Sequence, residues 1–157
     1  MNKEAENMGN IYLRVADASD MDLIFQWAND PLVRENSFSI REITYKEHVE
    51  WYEKLLHNKD CVLYILMNGE QPVGQARITV DGDIAEIGYS ICKDQRAHGY
   101  GKELLRMITE QAWKDFPDIS KVIGKIKPEN TASLKAFSSA GYKETYRVYE
   151  IQKSDRL

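Results

Sequence analysis

Apolar and polar positions along the chain alternate between two periods, and the change from one to the other marks the elements. "IYLRVA", starting at Ile11, alternates with period two, as a half-buried strand does. "DASDMDLIFQWAND" turns to helical spacing, with Ser19 or Asp20 as its cap and Pro31 ending it. "LVRENSFSIREI" has no period and predicts an irregular segment. In "TYKEHVEWYEKLLHN" the helical spacing of Val49, Trp51, Tyr52, Leu55 and Leu56 returns, and Thr44 with Glu47 forms a capping box. The run from Cys61 to Cys92 then reads as three strands broken by the turn signals "NGEQP" and "DGD", an antiparallel meander. A helix from about Tyr100 to Phe116 follows, closed by Pro117, and "SKVIGKI" is a strand. "NTASLKAFSSAG" is a short helix capped by Asn130 and ended by Gly141, and "YKETYRVYEIQK" returns as one or two strands. The order β-α-α-β-β-β-α-β-α-β predicts one α/β layered domain over residues 1–157, with a mixed sheet between helices and a polar tail at 1–9.

Composition narrows the function classes. The 157 residues are 43% hydrophobic and 29% charged, as in an ordinary globular chain. No apolar run approaches bilayer length, and "MNKEAENMGN" lacks the apolar core of a signal peptide, so the expectation is a cytoplasmic protein with no membrane partner. A net charge of −4 with scattered Lys and Arg argues against nucleic acid as a partner. Cys61 and Cys92 stand singly in apolar runs and read as buried free thiols; no metal site is expected, because the three histidines have no ligand-like spacing with them.

The chemistry concentrates in "KDQRAHGYGKELL", where Gly99 and Gly101 stand one residue apart at a helix start, just after a strand. Unpaired N–H groups at a helix start cradle phosphate, and a residue without a Cβ lets the oxygens touch the backbone. Arg96, His98 and Lys102 add charge or donors. The plainer reading is a turn glycine followed by a packing glycine. There is no Walker loop and no third glycine of a dinucleotide fingerprint.

The run Arg96-x-x-Gly99-x-Gly101 resembles the acetyl-coenzyme A signature of the GNAT acyltransferase superfamily, Arg/Gln-x-x-Gly-x-Gly/Ala. "KIKPENTASLKAFSSAGYKE" resembles that family's second cofactor motif. The resemblance spans nearly the whole chain and implies a GNAT fold: six to seven strands, about four helices on the two faces, and a sheet splayed at a fourth strand bulged near Gly88 and Tyr89. It implies acetyl-coenzyme A as co-substrate, held by Ile91, Gln95, Arg96, His98, Gly99, Tyr100, Gly101 and Lys102, with Asn130, Ser133 and Phe137 along the pantetheine arm. The expected oxyanion donor is the backbone N–H of Tyr89 or Ile91. Glu86 is the expected base, with a solvated face or a pair with Arg77 as its structural alternative. Phe137 stands where many members carry a proton-donating tyrosine, which leaves Tyr142, Tyr146, Ser138 or an ordered water for that task.

"QWANDPLVRENSFSIREITYKEHVEWYEKLL" is similar to the same region of sugar-nucleotide N-acetyltransferases of pseudaminic acid-type pathways. This implies a small-molecule acceptor, the amino group of a nucleotide-linked amino-deoxy sugar, met by Asn36, Ser37, Phe38, His48 and Trp51. Trp27 and Trp51 also have the spacing of core residues. A protein N-terminal (ribosomal-protein alanine) acetyltransferase and a non-catalytic acetyl-coenzyme A-binding module are the alternatives, and a homodimer is compatible with each.

Overall fold

The computed structural model describes residues 9–155, so the polar tail lies almost wholly outside the described residues. Strand β1 (Ile11–Val15) leads through a 3-10 turn (Ala18–Asp20) into helices α1 (Met21–Ala28), α2 (Pro31–Asn36) and α3 (Tyr45–Leu56). The meander β2 (Cys61–Asn68), β3 (Gln71–Asp81) and β4 (Ile84–Ile91) follows, then α4 (Tyr100–Asp115), β5 (Lys121–Ile123) and α5 (Thr131–Ser139).

Local chemistry accounts for most boundaries. The Thr44–Glu47 capping box opens α3 as expected, and Asn130 accepts from the Ser133 N–H at the start of α5. The first cap is Asp17 rather than Ser19 or Asp20; its carboxylate takes the Ser19 N–H and opens the 3-10 turn. Pro31 begins a helix instead of ending the chain's helical run. It occupies the first turn of α2, where its missing N–H costs nothing, while Asp30 accepts from Leu32 and Val33. The segment expected to be irregular therefore contributes a fifth α-helix.

The sheet order is β1-β2-β3-β4-β5, antiparallel throughout except for the parallel β4–β5 pair. Gly82, at φ +63°, closes the two-residue β3–β4 turn. On one face Tyr64, Leu66, Ala76, Ile78, Ala85 and Ile87 pack against Leu104, Leu105 and Ile108 of α4. On the other, Leu63, Ile65 and Met67 pack against Ile24, Tyr52 and Leu55 of α1 and α3. Among the described residues no helix is long and apolar enough to cross a membrane. Cys61 and Cys92 are free and half-buried.

Two expectations about the sheet are corrected. Among the described residues it has five strands, because the aromatic-rich run 142–152 pairs with no strand and leaves Val148 81% and Tyr149 87% exposed. The fourth strand carries no bulge at Gly88–Tyr89: β3 and β4 stay in register from Gly74–Ile91 to Asp81–Ile84, and the register shift falls between Leu66 and Met67. The splay comes from β5, which accompanies β4 only as far as Glu86–Ile123 and then departs.

Candidate active site

The departure of β5 leaves specific backbone groups facing an opening. Val80 N–H donates to Asp60 O at 2.8 Å, so it points away from β4, and Val80–Ala85 is a pair without mutual hydrogen bonds. Cys92 N–H, in the opposite phase, reaches back to Val73 O at 2.9 Å. Antiparallel strands alternate these two states, so the odd positions of β4 direct their N–H groups away from β3. Tyr89 and Ile91 lie beyond the last β5 pair, and their N–H groups face the opening without a strand partner.

Phe137 of α5 holds the two strands apart. Its ring lies 5.9 Å from that of Tyr89 and 4.9 Å, edge to face, from Tyr142. A Cβ on Gly124 would meet its Cε1 and Cζ at 2.3 Å, so the ring tip sits on the backbone where β5 leaves β4. Only a glycine at 124 admits that ring. Phe137 is itself buried, acting as a wedge rather than as an exposed wall for a pantetheine arm.

The glycine loop follows β4. Ala97 and Gly99 both adopt positive φ, 62° and 83°, and α4 begins at once. Left-handed residues just before a helix start are the backbone pattern of an anion-binding nest. Gly99 is explained by its φ. Gly101 is not: its φ is negative, and an added Cβ would make only ordinary contact with the Tyr89 ring, at 3.5 Å. Internal packing does not require glycine there, so the packing alternative fails and external close approach remains. These features fit a pyrophosphate. His98 and Lys102 are exposed beside the nest and Gln95 is half-buried. The Tyr100 side chain is 2% exposed and its hydroxyl accepts from Asn68 Nδ2, so the side chain is part of the core. Arg96 differs from expectation: its guanidinium holds Asp30 at 2.8 Å and Ile91 O at 3.2 Å, tying the loop to the start of α2.

Hydroxyls around the opening sort themselves by their partners. Thr109 Oγ1 donates to Leu105 O and lies 2.5 Å from the Tyr142 hydroxyl, so the Tyr142 proton is committed to Thr109. Ser138 is on the exposed side of α5, and Tyr146 is largely exposed within electrostatic reach of Lys125. The Tyr89 hydroxyl, 3.0 Å from Ser133 Oγ, shares the face of β4 that carries the wedge. Burial raises its pKa, keeping it protonated. Sequence reasoning used Tyr89 only for its N–H; the i, i+2 alternation of β4 could have placed its side chain with Ile87.

The opposite face of β4 carries Glu86, Gly88 and Ser90. Glu86 pairs with Lys125 Nζ at 2.8 Å, not with Arg77, and the carboxylate raises the pKa of that amine. Arg77 lies across from Gly88, its guanidinium carbon 5.5 Å from the Trp51 ring centroid. Trp51 is 37% exposed. His48 is corrected: at 1% exposure it is core, its Nε2 2.8 Å from Met21 O and its ring among Phe25, Trp51 and Tyr52, which leaves nothing for an acceptor to touch. The Ser37 hydroxyl is taken up locally, donating to Val33 O and accepting from Arg34 Nη2. Arg34 also binds Ala28 O, Ser39 O and Arg41 O and is the scaffold of the 37–41 loop. Asn36 is half-buried and Phe38 is 71% exposed. Lys127 donates to Glu35 O at 3.0 Å, bridging the β5–α5 connection to α2 beside this face.

The family described as "Acetyltransferase (GNAT) domain" matches residues 10–143. An uncharacterized N-acetyltransferase of Bacillus subtilis strain 168, YfmK, is 27% identical over 93 residues, which are 59% of this chain and 62% of that protein. The uncharacterized protein MJ1062 of Methanocaldococcus jannaschii is 24% identical over 152 residues, 90% of this chain and 31% of that protein. The chain thus spans less than two thirds of either curated relative. Spermidine N-acetyltransferase from Vibrio cholerae, crystallised with coenzyme A and spermine, superimposes with a TM-score of 0.80 at 16% identity, over 90% of this chain and 86% of that one.

Proposed function

Because the chain belongs to the acetyltransferase (GNAT) domain family, we propose that it moves an acetyl group from acetyl-coenzyme A to a primary amine, that of a nucleotide-linked amino-deoxy sugar. Acetyl-coenzyme A supplies the activated thioester. The nest at Ala97–Gly101 takes its pyrophosphate, and the Tyr89 and Ile91 N–H groups line the gap where β5 has left β4. Either N–H can donate to a carbonyl oxygen as negative charge develops there, a role that needs a fixed donor shielded from water. Glu86, across the strand, accepts the proton that the amine must lose to attack, directly or through water. Its bond to Lys125 is a solvent-exposed pair of little net strength, readily exchanged for an incoming amine. The Tyr89–Ser133 hydroxyl pair returns a proton to the departing thiolate, in the role that Phe137 cannot fill; their 3.0 Å contact supports this.

The acceptor class rests on one observation: on the sheet face that carries Glu86, Lys125 pairs with that carboxylate and a second cation, Arg77, lies across from Gly88, two positions along β4. A polycation such as the spermine bound by the Vibrio cholerae enzyme would be repelled there, whereas an anionic acceptor would be drawn in. The test is a thiol-release assay at saturating acetyl-coenzyme A, comparing nucleotide-linked 4-amino sugars, alanine- and serine-starting peptides, and spermine. Turnover confined to amino sugar nucleotides is expected. Rapid acetylation of a peptide or of spermine, with no product from any amino sugar nucleotide, would overturn the reading.

A further inference from the structure

Arg77 is set apart from the other arginines. Each of the other described arginines is committed: Arg14 to Asp20, Arg34 to Ala28 O and three oxygens of the 37–41 loop, Arg41 to Glu47, Arg96 to Asp30, Arg106 to Glu103 and Arg147 to Glu144. Among the described residues the Arg77 guanidinium makes no hydrogen bond and no ion pair, although it is half-buried. The nearby carboxylate, Glu86, turns to Lys125 instead. What holds Arg77 is the Trp51 ring, with the guanidinium carbon 5.5 Å from its centroid. Gly88, the cross-strand neighbour, presents no side chain, and a Cβ there would meet only Arg77 Nη2, at 4.0 Å.

These facts describe an unspent fork beside an aromatic ring. A guanidinium held near an aromatic face by cation–π attraction keeps its N–H groups uncommitted, and the contact limits the freedom that binding would otherwise remove. Its geometry matches two oxygens of one phosphate, and such charge-assisted paired bonds are stronger than neutral ones. Gly88 is exposed and leaves room beside this fork, and the next residue along β4 is Tyr89, whose N–H faces the opening.

We propose that Arg77, shelved on Trp51, is the phosphate anchor of the acceptor site, binding a phosphoryl oxygen pair of the acceptor so that its amine reaches past Gly88 to the opening beside β5. The class of acceptor rests on the function proposed above; the anchor rests on the geometry of Arg77, Trp51 and Gly88. It follows that the amine and the phosphate belong to one molecule, and that the fork matters as much as the charge.

The test uses the protein saturated with coenzyme A, so that the glycine loop is filled, and titrates it calorimetrically with uridine diphosphate, inorganic pyrophosphate and uridine. The two phosphates should bind and uridine at least tenfold more weakly. Arg77→Met should weaken both phosphates at least tenfold, and Arg77→Lys should fall between, since it keeps the charge and loses the fork. Trp51→Ala should weaken them through the lost shelf. Coenzyme A affinity, unchanged in all three variants, confirms that each is folded. Equal phosphate affinity in Arg77→Met and the parent, or no binding to the parent, would refute the anchor. With an amino sugar nucleotide as substrate, Arg77→Met should raise KM at least tenfold with kcat within about twofold; a fall in kcat alone would also refute it. Phosphate binding that depends on Arg77 while no amino sugar nucleotide is acetylated would uphold the anchor and reject the acceptor. Turnover of such a sugar that is indifferent to Arg77 would do the reverse.

Discussion

Single atoms decide the behaviour of this site. At Gly101, internal packing tolerates a Cβ, so Gly101→Val should leave melting nearly unchanged while coenzyme A affinity, measured by calorimetry, falls sharply. Unchanged affinity would remove the phosphate from the loop. Glu86→Gln keeps the size and removes proton acceptance: turnover should drop about 100-fold, cofactor affinity should hold, and the alkaline-going rise in rate should flatten. A normal pH–rate profile would make Glu86 merely the partner of Lys125. Tyr89→Phe keeps the ring against Phe137 and removes the hydroxyl shared with Ser133, so kcat should fall about tenfold or more with little change in KM. Gly124→Ala forces a Cβ into the Phe137 ring, and the expected cost in urea unfolding is about 1–3 kcal/mol. The glycine pair at a helix start was legible in the sequence because it is a local statement, whereas the base role of Glu86 and the missing tyrosine hydroxyl were expectations that came with the family resemblance. Arg77 was visible only as a candidate partner for Glu86, since nothing local says that Lys125, 39 positions beyond Glu86 in the chain, will take that carboxylate.

Elements respond to their ends and to what they are tied to. Thr44→Ala removes one half of the α3 capping box and should cost about 1 kcal/mol, read as a lower melting temperature. The turn before α1 is tied to β1 by the two-pronged bond of Arg14 to Asp20, 2.7 and 2.8 Å. That bond, aided by the Asp17 N–H and opposed by burial, holds the Asp20 carboxyl below its ordinary range. A carboxyl with a depressed pKa when folded stabilises the protein above its unfolded pKa, and the contribution is lost as pH falls through the folded one. Asp20→Asn should therefore be less stable than the parent at neutral pH, with the gap narrowing below about pH 4 in acid unfolding. An unchanged gap at low pH would mean that Asp20 acts through shape alone. Helix caps and hairpin turns were legible because they are settled within four residues of chain. The helix at Pro31–Asn36 was missed because six residues are too few to display a period, although Asp30 followed by Pro31 is a helix-start signal.

At the scale of the whole molecule, one sheet with a core on each face supports an opening that only the meeting of distant segments creates. Phe137→Ala should remove the wedge from a packed site and cost about 3–5 kcal/mol in urea unfolding, whereas Val148→Asp, on the exposed run after α5, should change stability by less than about 0.5 kcal/mol. A large loss at Val148 would mean that the run is packed in solution. By itself the sequence determined the first strand, the meander with its turns, the long helices and the glycine-bearing helix start, because periodicity, turn chemistry and glycine placement act over a few neighbouring residues. Only the tertiary structure decided that His48 is core, that the aromatic run after Gly141 pairs with no strand, that β4 opens by losing β5 rather than by bulging, and that Arg77 lies unpaired on Trp51. Each of these depends on which side chain arrives first at a shared space from far along the chain, and a hydrogen bond or a close contact, once made with one partner, is withdrawn from every other.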